Sequence, residues 1–305
     1  MKNESFEKVE SLKMNKDLKV TDLVKQMKKA GFGARKIGKA AEIADEMFSD
    51  KDCKRFLGIA GAMVPAGMKQ IIIDLLNSEK INIFVTTGAN LTHDLIEALG
   101  NEHYHCDSWN DEEFHKKNYD RIYNVLMKNK VYENLEDFFT KNWDEFKNSN
   151  SIKDFLKKIG ELLPKNSNSI LRVCYEKNIP LFCPGIADSG IGLMVWGRLA
   201  AGKKISVDVF ADMNDIIDTA WTSKKSGVIY VGGGLPKNFI QQSLQFSKGA
   251  DYGIQITTDR AESGGSSGAP LEEGKSWGKL KPDAKFVDVP CDATIALPLI
   301  FCGKI

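Results

Sequence analysis

From Val20 onward the apolar positions fall into two alternating rhythms. VTDLVKQMKKAG (20–31) and ARKIGKAAEIADEMF (34–48) repeat apolar residues every three or four positions, which predicts two early helices, the first closed by Gly31. The rhythm then changes. CKRFLGIAG reads as a buried strand, PAGMKQIIIDLLNS as a helix opened by Pro65, INIFVTT as a strand and LTHDLIEALG as a helix. Residues 111–177 read as mostly helical and charged. Alternation resumes with IPLFCPG, a helix near 191–201, SGVIYVGGG, a helix from Pro236, DYGIQITT, KFVDVP and a buried terminal helix in CDATIALPLIFC. At least five strands separated by helices predict an α/β fold, a Rossmann-like domain with a mostly parallel sheet flanked by helices.

Residues 1–20 are polar and weakly periodic, so they read as a flexible arm ahead of one domain spanning 21–305. Lys plus Arg number 42 against 41 Asp plus Glu, and the lysines alternate with acids at helical spacing. A solvated helix face explains them, and nucleic acid is not an expected partner. No apolar run is long enough for a membrane span, and MKNESFEKVESLK lacks a signal-peptide core, so a cytoplasmic location is expected. The six cysteines are scattered without a CxxC pair and read as buried free thiols.

Three glycine-rich turns follow predicted strands, at Gly58–Gly67, Gly88–Asn90 and Gly232–Gly234. In a parallel sheet all three fall at strand carboxyl ends, where glycine lets backbone amides approach a phosphate and the next helix points its positive end at it. None spells GxGxxG, but together they favour a nucleotide. Asp188 and Asp292 each read either as a helix N-cap or as a carboxylate for ribose hydroxyls or a cationic substrate. The stretch 261–279 is too rich in Gly and Ser for a regular element, and ends in Glu272-Glu273-Gly274-Lys275-Ser276-Trp277-Gly278-Lys279. Two acids, an indole and a lysine suit a polycationic amine, since carboxylates pair with ammonium, indole faces attract cations and a desolvated lysine is a neutral nucleophile. An exposed loop with an ordinary charged lysine is the plainer alternative. The cluster Glu102, His103, His105, Cys106 and Asp107 lacks the usual zinc spacing, so no metal is expected. No G-x-S-x-G elbow occurs, and hydrolysis is not favoured.

Taken in order, GFGARKIGKA, FLGIAGAMVPAG, INIFVTTGANLTHDLI, IPLFCPGIADSGIG, IYVGGGLPK, GADYGIQITT, SGAPLEEGKSWGKLKPDA and CDATIALPLI resemble the deoxyhypusine synthase family, roughly from Gly31 to Leu299. SWGK is the most specific piece. The resemblance implies an NAD-dependent aminobutyl transferase. NAD would take hydride from spermidine, and the butylimine would be held on Lys279 before passing to one lysine of the hypusine-containing translation factor precursor. It also implies a cytosolic homotetramer with sites built across subunit interfaces. Carried over by motif, the cofactor set is Gly61, Ala62, Met63, Val64, Pro65, Thr87, Gly88, Ala89, His93, Asp188, Thr258, Asp259, Ser267, Asp292 and Ala293. The substrate set is Gly233, Lys237, Asn238, Gly264, Gly265, Ser266, Glu273 and Trp277, with Lys279 the nucleophile.

The chain departs from the family pattern in several places. It has Gly61-Ala62 for Ser-Asn, Thr92-His93-Asp94 for Glu-Glu-Asp, Asn238 for the histidine after lysine, Leu193 for an aspartate, and Ser263 and Ser266 for two more. A buried ammonium without a carboxylate is costly, so the amine pocket reads as remodelled. Deoxyhypusine synthesis therefore stands beside aminobutyl transfer to a small amine, as in a homospermidine synthase, and beside a catalytically weak NAD-binding paralogue acting as a regulatory subunit.

Overall fold

A computed structural model describes residues 6–305. The chain opens with α1 (Val20–Lys29) and α2 (Phe32–Ser49), followed by β1 (Cys53–Ile59), α3 (Lys69–Asn77), β2 (Ile83–Thr86) and α4 (Gly88–Ala98). A lobe follows, made of β3 (Tyr104–His105), α5 (Asp111–Lys116), β4 (Tyr119–Ile122) and β5 (Val125–Lys128). Next come α6 (Val131–Phe146), α7 (Ile152–Leu162), α8 (Ile170–Glu176), β6 (Leu181–Phe182), α9 (Gly190–Ala200) and α10 (Val209–Thr222). The chain then returns to the sheet with β7 (Lys225–Val231), α11 (Gly234–Gln245), β8 (Ala250–Ile256), α12 (Glu273–Ser276), β9 (Leu280–Val289) and α13 (Ala293–Phe301).

Six strands form one parallel sheet in the order β6-β2-β1-β7-β8-β9. The near-continuous apolar runs follow from burial on both faces. Leu57, Ile59, Ile229, Val231, Ile254 and Val287 point to the layer that holds α2, α3, α4 and α13, whereas Phe56, Ile83, Val228 and Tyr230 point to α10 and α11. Each fully buried Leu or Ile side chain contributes about 2 kcal/mol through the area removed from water. The α/β expectation holds, with one strand more than the minimum counted.

Several boundaries differ from the sequence reading. The helix expected from Pro65 begins with a wide π-type turn at Val64–Met68, because Gly67 sits at φ 81 and interrupts the α geometry, and regular helix starts at Lys69. The stretch 111–177, read as mostly helical, also holds β4 and β5. These four-residue strands pair with each other and with β3 as a small antiparallel sheet, turned at Tyr123, whose φ is 53. Such short segments owe their conformation to pairing rather than to a periodicity of their own. α10 belongs to a stretch that the strand-helix alternation left unassigned. Residues 6–19 contain no helix or strand but lie along the first two helices, with Glu10 N donating to Lys29 O at 3.0 Å and Arg35 donating to Glu7 at 3.0 Å. The first five residues of the expected arm lie outside the described ones.

All six cysteines are free. Cys53, Cys106, Cys174 and Cys183 are buried, Cys291 is half-buried and Cys302 is exposed. Among the described residues no helix is long and apolar enough to cross a membrane.

Candidate active site

A cleft of about 1230 Å³ opens at the carboxyl ends of the parallel strands, where parallel sheets bind their ligands. Ala60, Gly61, Met63, Val64 and Pro65 line it after β1, Gly232 and Gly233 after β7, Thr257 to Asp259 after β8, and Asp292 to Thr294 after β9. Ser267 closes it from the Gly-Ser loop. Backbone sterics build this cradle. Gly232 adopts φ +70, and a Cβ there would approach Ala60 Cβ to 3.2 Å; at Gly233 a Cβ would lie 2.3 Å from Ser267 Cα. Only glycine lets the turn after β7 and the Gly-Ser loop come this close. Volume, glycine cradle and the N-terminus of α13 all fit a dinucleotide. Asp292 caps α13, accepting from Thr294 N at 2.7 Å and Thr294 Oγ1 at 2.6 Å, while lining the cleft. The helix-cap reading of Asp292 holds, and its place in the lining leaves the ligand-binding reading open to it.

The cofactor set divides. Gly61, Met63, Val64, Pro65, Thr258, Asp259, Ser267, Asp292 and Ala293 line the cleft. Ala62, Thr87, Gly88, Ala89, His93 and Asp188 do not. Thr87 caps α4 and donates to Gly61 O at 3.3 Å, coupling that helix to the first glycine turn. Gly88 packs against Ser189, and Ala89 and Asp188 lie exposed near the same junction of α4 and α9.

A second group of predicted residues gathers elsewhere. Lys237, in the first turn of α11, is only 1% exposed, and its Nζ donates to Ser266 O at 2.7 Å and Ala269 O at 2.6 Å. Burial pulls its ammonium down to about 8, against the opposing pull of the Asp288 and Glu273 carboxylates. Asp288 in turn accepts from Leu271 N at 3.1 Å and anchors the segment before α12; burial pushes its carboxyl up. The Lys279 ammonium sits 4.8 Å from the Trp277 ring centroid, a cation–π contact, with the indole 55% exposed. Glu273 is exposed on α12, Asn238 is half-buried beside Lys237, and Gly264 and Gly265 are exposed in the loop. Of the departures from the family pattern, Leu193 is exposed on α9, Ser263 donates to Arg260 O at 3.2 Å and Ser266 donates to Gly234 O at 3.2 Å.

The two groups adjoin at Gly233, which lines the cleft, and at Ser266 beside the cleft-lining Ser267, whereas Glu273, Trp277 and Lys279 do not line it. Lys279 O accepts from Ala250 N at 3.1 Å, which fixes the lysine where β8 and β9 begin, and the cleft lies where they end. Ala250 to Ile256 is six strand steps, about 20 Å at the usual rise, so the Lys279 backbone starts far from the strand ends, although its ammonium is close enough to that of Lys237 to act on it.

The cleft wall also carries an ordered polar chain that motif reasoning did not assemble. Lys69 pairs with Glu97, Glu97 accepts from His103 Nδ1 at 2.8 Å, and His103 Nε2 lies 3.0 Å from His93 Nδ1. Lys69, Glu97 and His103 line the cleft, with His93 behind His103. Burial, then His103, lowers the His93 imidazolium to about 4. For Glu97, burial pushes upward but the hydrogen bonds from His103 and Lys69 outweigh it, and the net shift is downward. The i, i+4 spacing of His93 and Glu97 on α4 is a visible signal, but the arrival of His103 and Lys69 from other elements is not. Asp94, next in sequence, is occupied differently: it accepts from Ser169 Oγ, Ile170 N and Leu171 N at 2.7, 2.9 and 3.0 Å, capping α8. His103 is thus bound into this chain, and Cys106 Sγ donates to Ser108 O at 2.8 Å. Among the described residues no three His, Cys, Asp or Glu side chains are grouped to hold a metal.

Residues 22–303 match the family model for deoxyhypusine synthase. The chain is 42% identical over 295 residues to "Probable deoxyhypusine synthase 1" of Methanosarcina mazei, covering 96% of this chain and 92% of the relative. It is 40% identical over 304 residues to "Probable deoxyhypusine synthase 1" of Archaeoglobus fulgidus, covering 97% and 99%. A solved structure titled "a putative deoxyhypusine synthase from Entamoeba histolytica" superposes with a TM-score of 0.68 at 19% identity over 96% of this chain and 95% of that one, a likeness of fold.

Proposed function

The chain belongs to the deoxyhypusine synthase family, and from that premise we propose that it transfers the aminobutyl group of spermidine, through a covalent imine on Lys279, to one lysine of the hypusine-containing translation factor precursor. The observation that carries this reading is the nearly full-length match together with the SWGK lysine lying against its own tryptophan at 4.8 Å. NAD, bound in the glycine-rich cleft, would supply hydride acceptance and return. Gly232, Gly233 and Ser267 would hold its phosphates and ribose closely, with the capped end of α13 beneath. Glu273 and the Trp277 face would bind ammonium groups of the donor, and the buried Lys237 would stiffen the loop between them.

Because Lys279 does not line the cleft of its own chain, the reading includes a second protomer whose amine patch reaches that cleft. The proposal therefore includes a homotetramer in the cytoplasm, with sites shared across an interface. Exposed Trp196 and Leu199 on α9, and Phe210 and Trp221 on α10, supply apolar surface for such association.

The test is mass spectrometry of the full-length protein reduced with borohydride after incubation with NAD and spermidine. An added aminobutyl group on Lys279, absent in Lys279→Ala while NAD binding is retained, is the expected result. Full transfer by Lys279→Ala would refute the mechanism. The replacement of three family aspartates by Leu193, Ser263 and Ser266, with Asn238 for the histidine, favours a catalytically weak NAD-binding paralogue, which would bind NAD but carry no label on Lys279, and aminobutyl transfer to a small amine is the other alternative. Label recovered in a free polyamine rather than in the precursor protein would establish that reading instead.

A further inference from the structure

We propose that Gln255 is a positioning residue for dinucleotide binding: its carboxamide nitrogen holds the Ser266–Ala269 segment against the cleft, and its unpaired oxygen is the acceptor to which the Lys237 ammonium turns when that segment moves aside. This rests on the cofactor site proposed above and assigns that site the residue that governs its closure.

The segment is tied from two sides. Lys237 Nζ on α11 donates to Ser266 O at 2.7 Å and to Ala269 O at 2.6 Å, and Ser266 Oγ donates to Gly234 O at 3.2 Å. From the sheet, Gln255 Nε2 on β8 donates to the same Ala269 O at 3.0 Å, and Asp288 on β9 accepts from Leu271 N at 3.1 Å. The Lys237 ammonium and the Gln255 carboxamide are therefore neighbours that share one acceptor. Gln255 is only 1% exposed, and its Oε1 has no hydrogen-bond partner among the described residues. A buried carbonyl without a donor costs about as much as a lost hydrogen bond, and here it stands beside an ammonium that has three donors and uses two.

The cleft gives the segment a reason to move. Ser267 backs Gly233 so closely that a Cβ on the glycine would lie 2.3 Å from Ser267 Cα, so this face of the cradle is shut to a phosphate until Ser267 shifts. Gly268 packs as tightly on Arg260, where a Cβ would lie 2.0 Å from the carbonyl oxygen, so the loop shifts as a body. Such a shift strips Lys237 of both carbonyls, and a buried ammonium without an acceptor is costly. Gln255 Oε1 offsets that cost, with the Asp288 carboxylate on the paired strand facing the same layer. Tyr230, paired with Gln255 from β7, ends in another buried atom without a partner, but it makes no hydrogen bond to the segment.

Stopped-flow mixing of the full-length protein with NADH, followed by the fluorescence of the cofactor, tests this. Gln255→Met keeps the side-chain volume and removes both polar ends. At pH 7 its association rate constant should be about tenfold below that of the unmodified protein, because the ammonium loses its second acceptor. Burial holds that ammonium at about 8, with the Asp288 and Glu273 carboxylates raising it and Lys279 lowering it. At pH 9 the neutral amine needs no such acceptor, and the deficit should shrink to within about twofold. Gln255→Glu, ionised beside the ammonium, still offers Lys237 an oxygen but donates nothing to Ala269. Its association should stay within about threefold of the unmodified rate while dissociation quickens about tenfold. Tyr230→Phe should change neither rate. Normal association of Gln255→Met at pH 7, a deficit that persists at pH 9, or an equal slowing in Tyr230→Phe would each overturn the role and leave the cofactor site standing. If the unmodified protein binds no NADH, the cofactor reading itself fails and the role of Gln255 falls with it.

Discussion

Lys237 carries its ammonium into a nest of carbonyl oxygens from Ser266 and Ala269, so the loop that closes the cleft and the helix behind it are joined by one buried charge. Burial holds that ammonium down at about 8, from 10.5 in the unfolded chain. Between those values the unfolded chain binds more protons, so this residue makes stability rise with pH across the window. Chemical denaturation at a series of pH values should find the rise lost in Lys237→Met, with the slopes of the two proteins differing by at most about 1.4 kcal/mol per pH unit, the limit for one proton. Cys53, pushed up to about 12 by burial, acts in the opposite sense but equally in both proteins. Parallel curves would mean that Lys237 does not titrate in the fold. At this scale the sequence was informative about identity and silent about surroundings. The lysine after the triple glycine stands in a recognisable motif, but its carbonyl partners lie 29 and 32 residues away in a loop without periodicity.

The elements were legible in proportion to their length and burial. β1, β7 and β8 are apolar on both faces and bounded by glycine, which leaves few alternatives to a central parallel strand. β4 and β5, four residues each, and the two-residue β3 could not be read, because their pairing partners define them. The Gly-Ser loop lies between these extremes: its composition excludes helix and strand, and its shape is set by what it touches. Gly233→Ala should test that dependence. Its Cβ would fall 2.3 Å from the Ser267 backbone, so the loop must move away from the cleft, and NAD affinity measured by calorimetry should fall by tenfold or more, about 1.4 kcal/mol. At Gly264→Ala, where φ is +71 but no atom lies within 4 Å, the cost should be about 1 kcal/mol of folding stability with little change in affinity. Equal losses of affinity at both glycines would remove the close approach as the reason for Gly233.

At the scale of the whole molecule, the dinucleotide-sized cleft lies at the carboxyl ends of β8 and β9 and the backbone of Lys279 lies at their start, so the proposed nucleophile stands outside the cleft that its own chain builds. Periodicity and spacing do not show this, since residues adjacent in a motif list need not be adjacent in space, although the family resemblance implied sites built across subunit interfaces. A site completed by a second copy predicts complementation. Lys279→Ala keeps an intact cleft, and Asp292→Ala keeps an intact lysine patch while losing the α13 cap beside the cofactor. Each alone should form no adduct and no product. Unfolded together and refolded as a mixture, hybrid pairs would contain one site with the cleft of the first and the lysine of the second. If protomers associate at random across a two-fold interface, about a quarter of the unmodified activity should return. Recovery should fall as one variant is diluted by excess of the other, because the hybrid fraction falls with it. Recovery absent at every ratio, with hybrids verified by native mass spectrometry, would mean that Lys279 reaches the cofactor of its own chain through a rearrangement of residues 261–279, and the shared site would have to be abandoned.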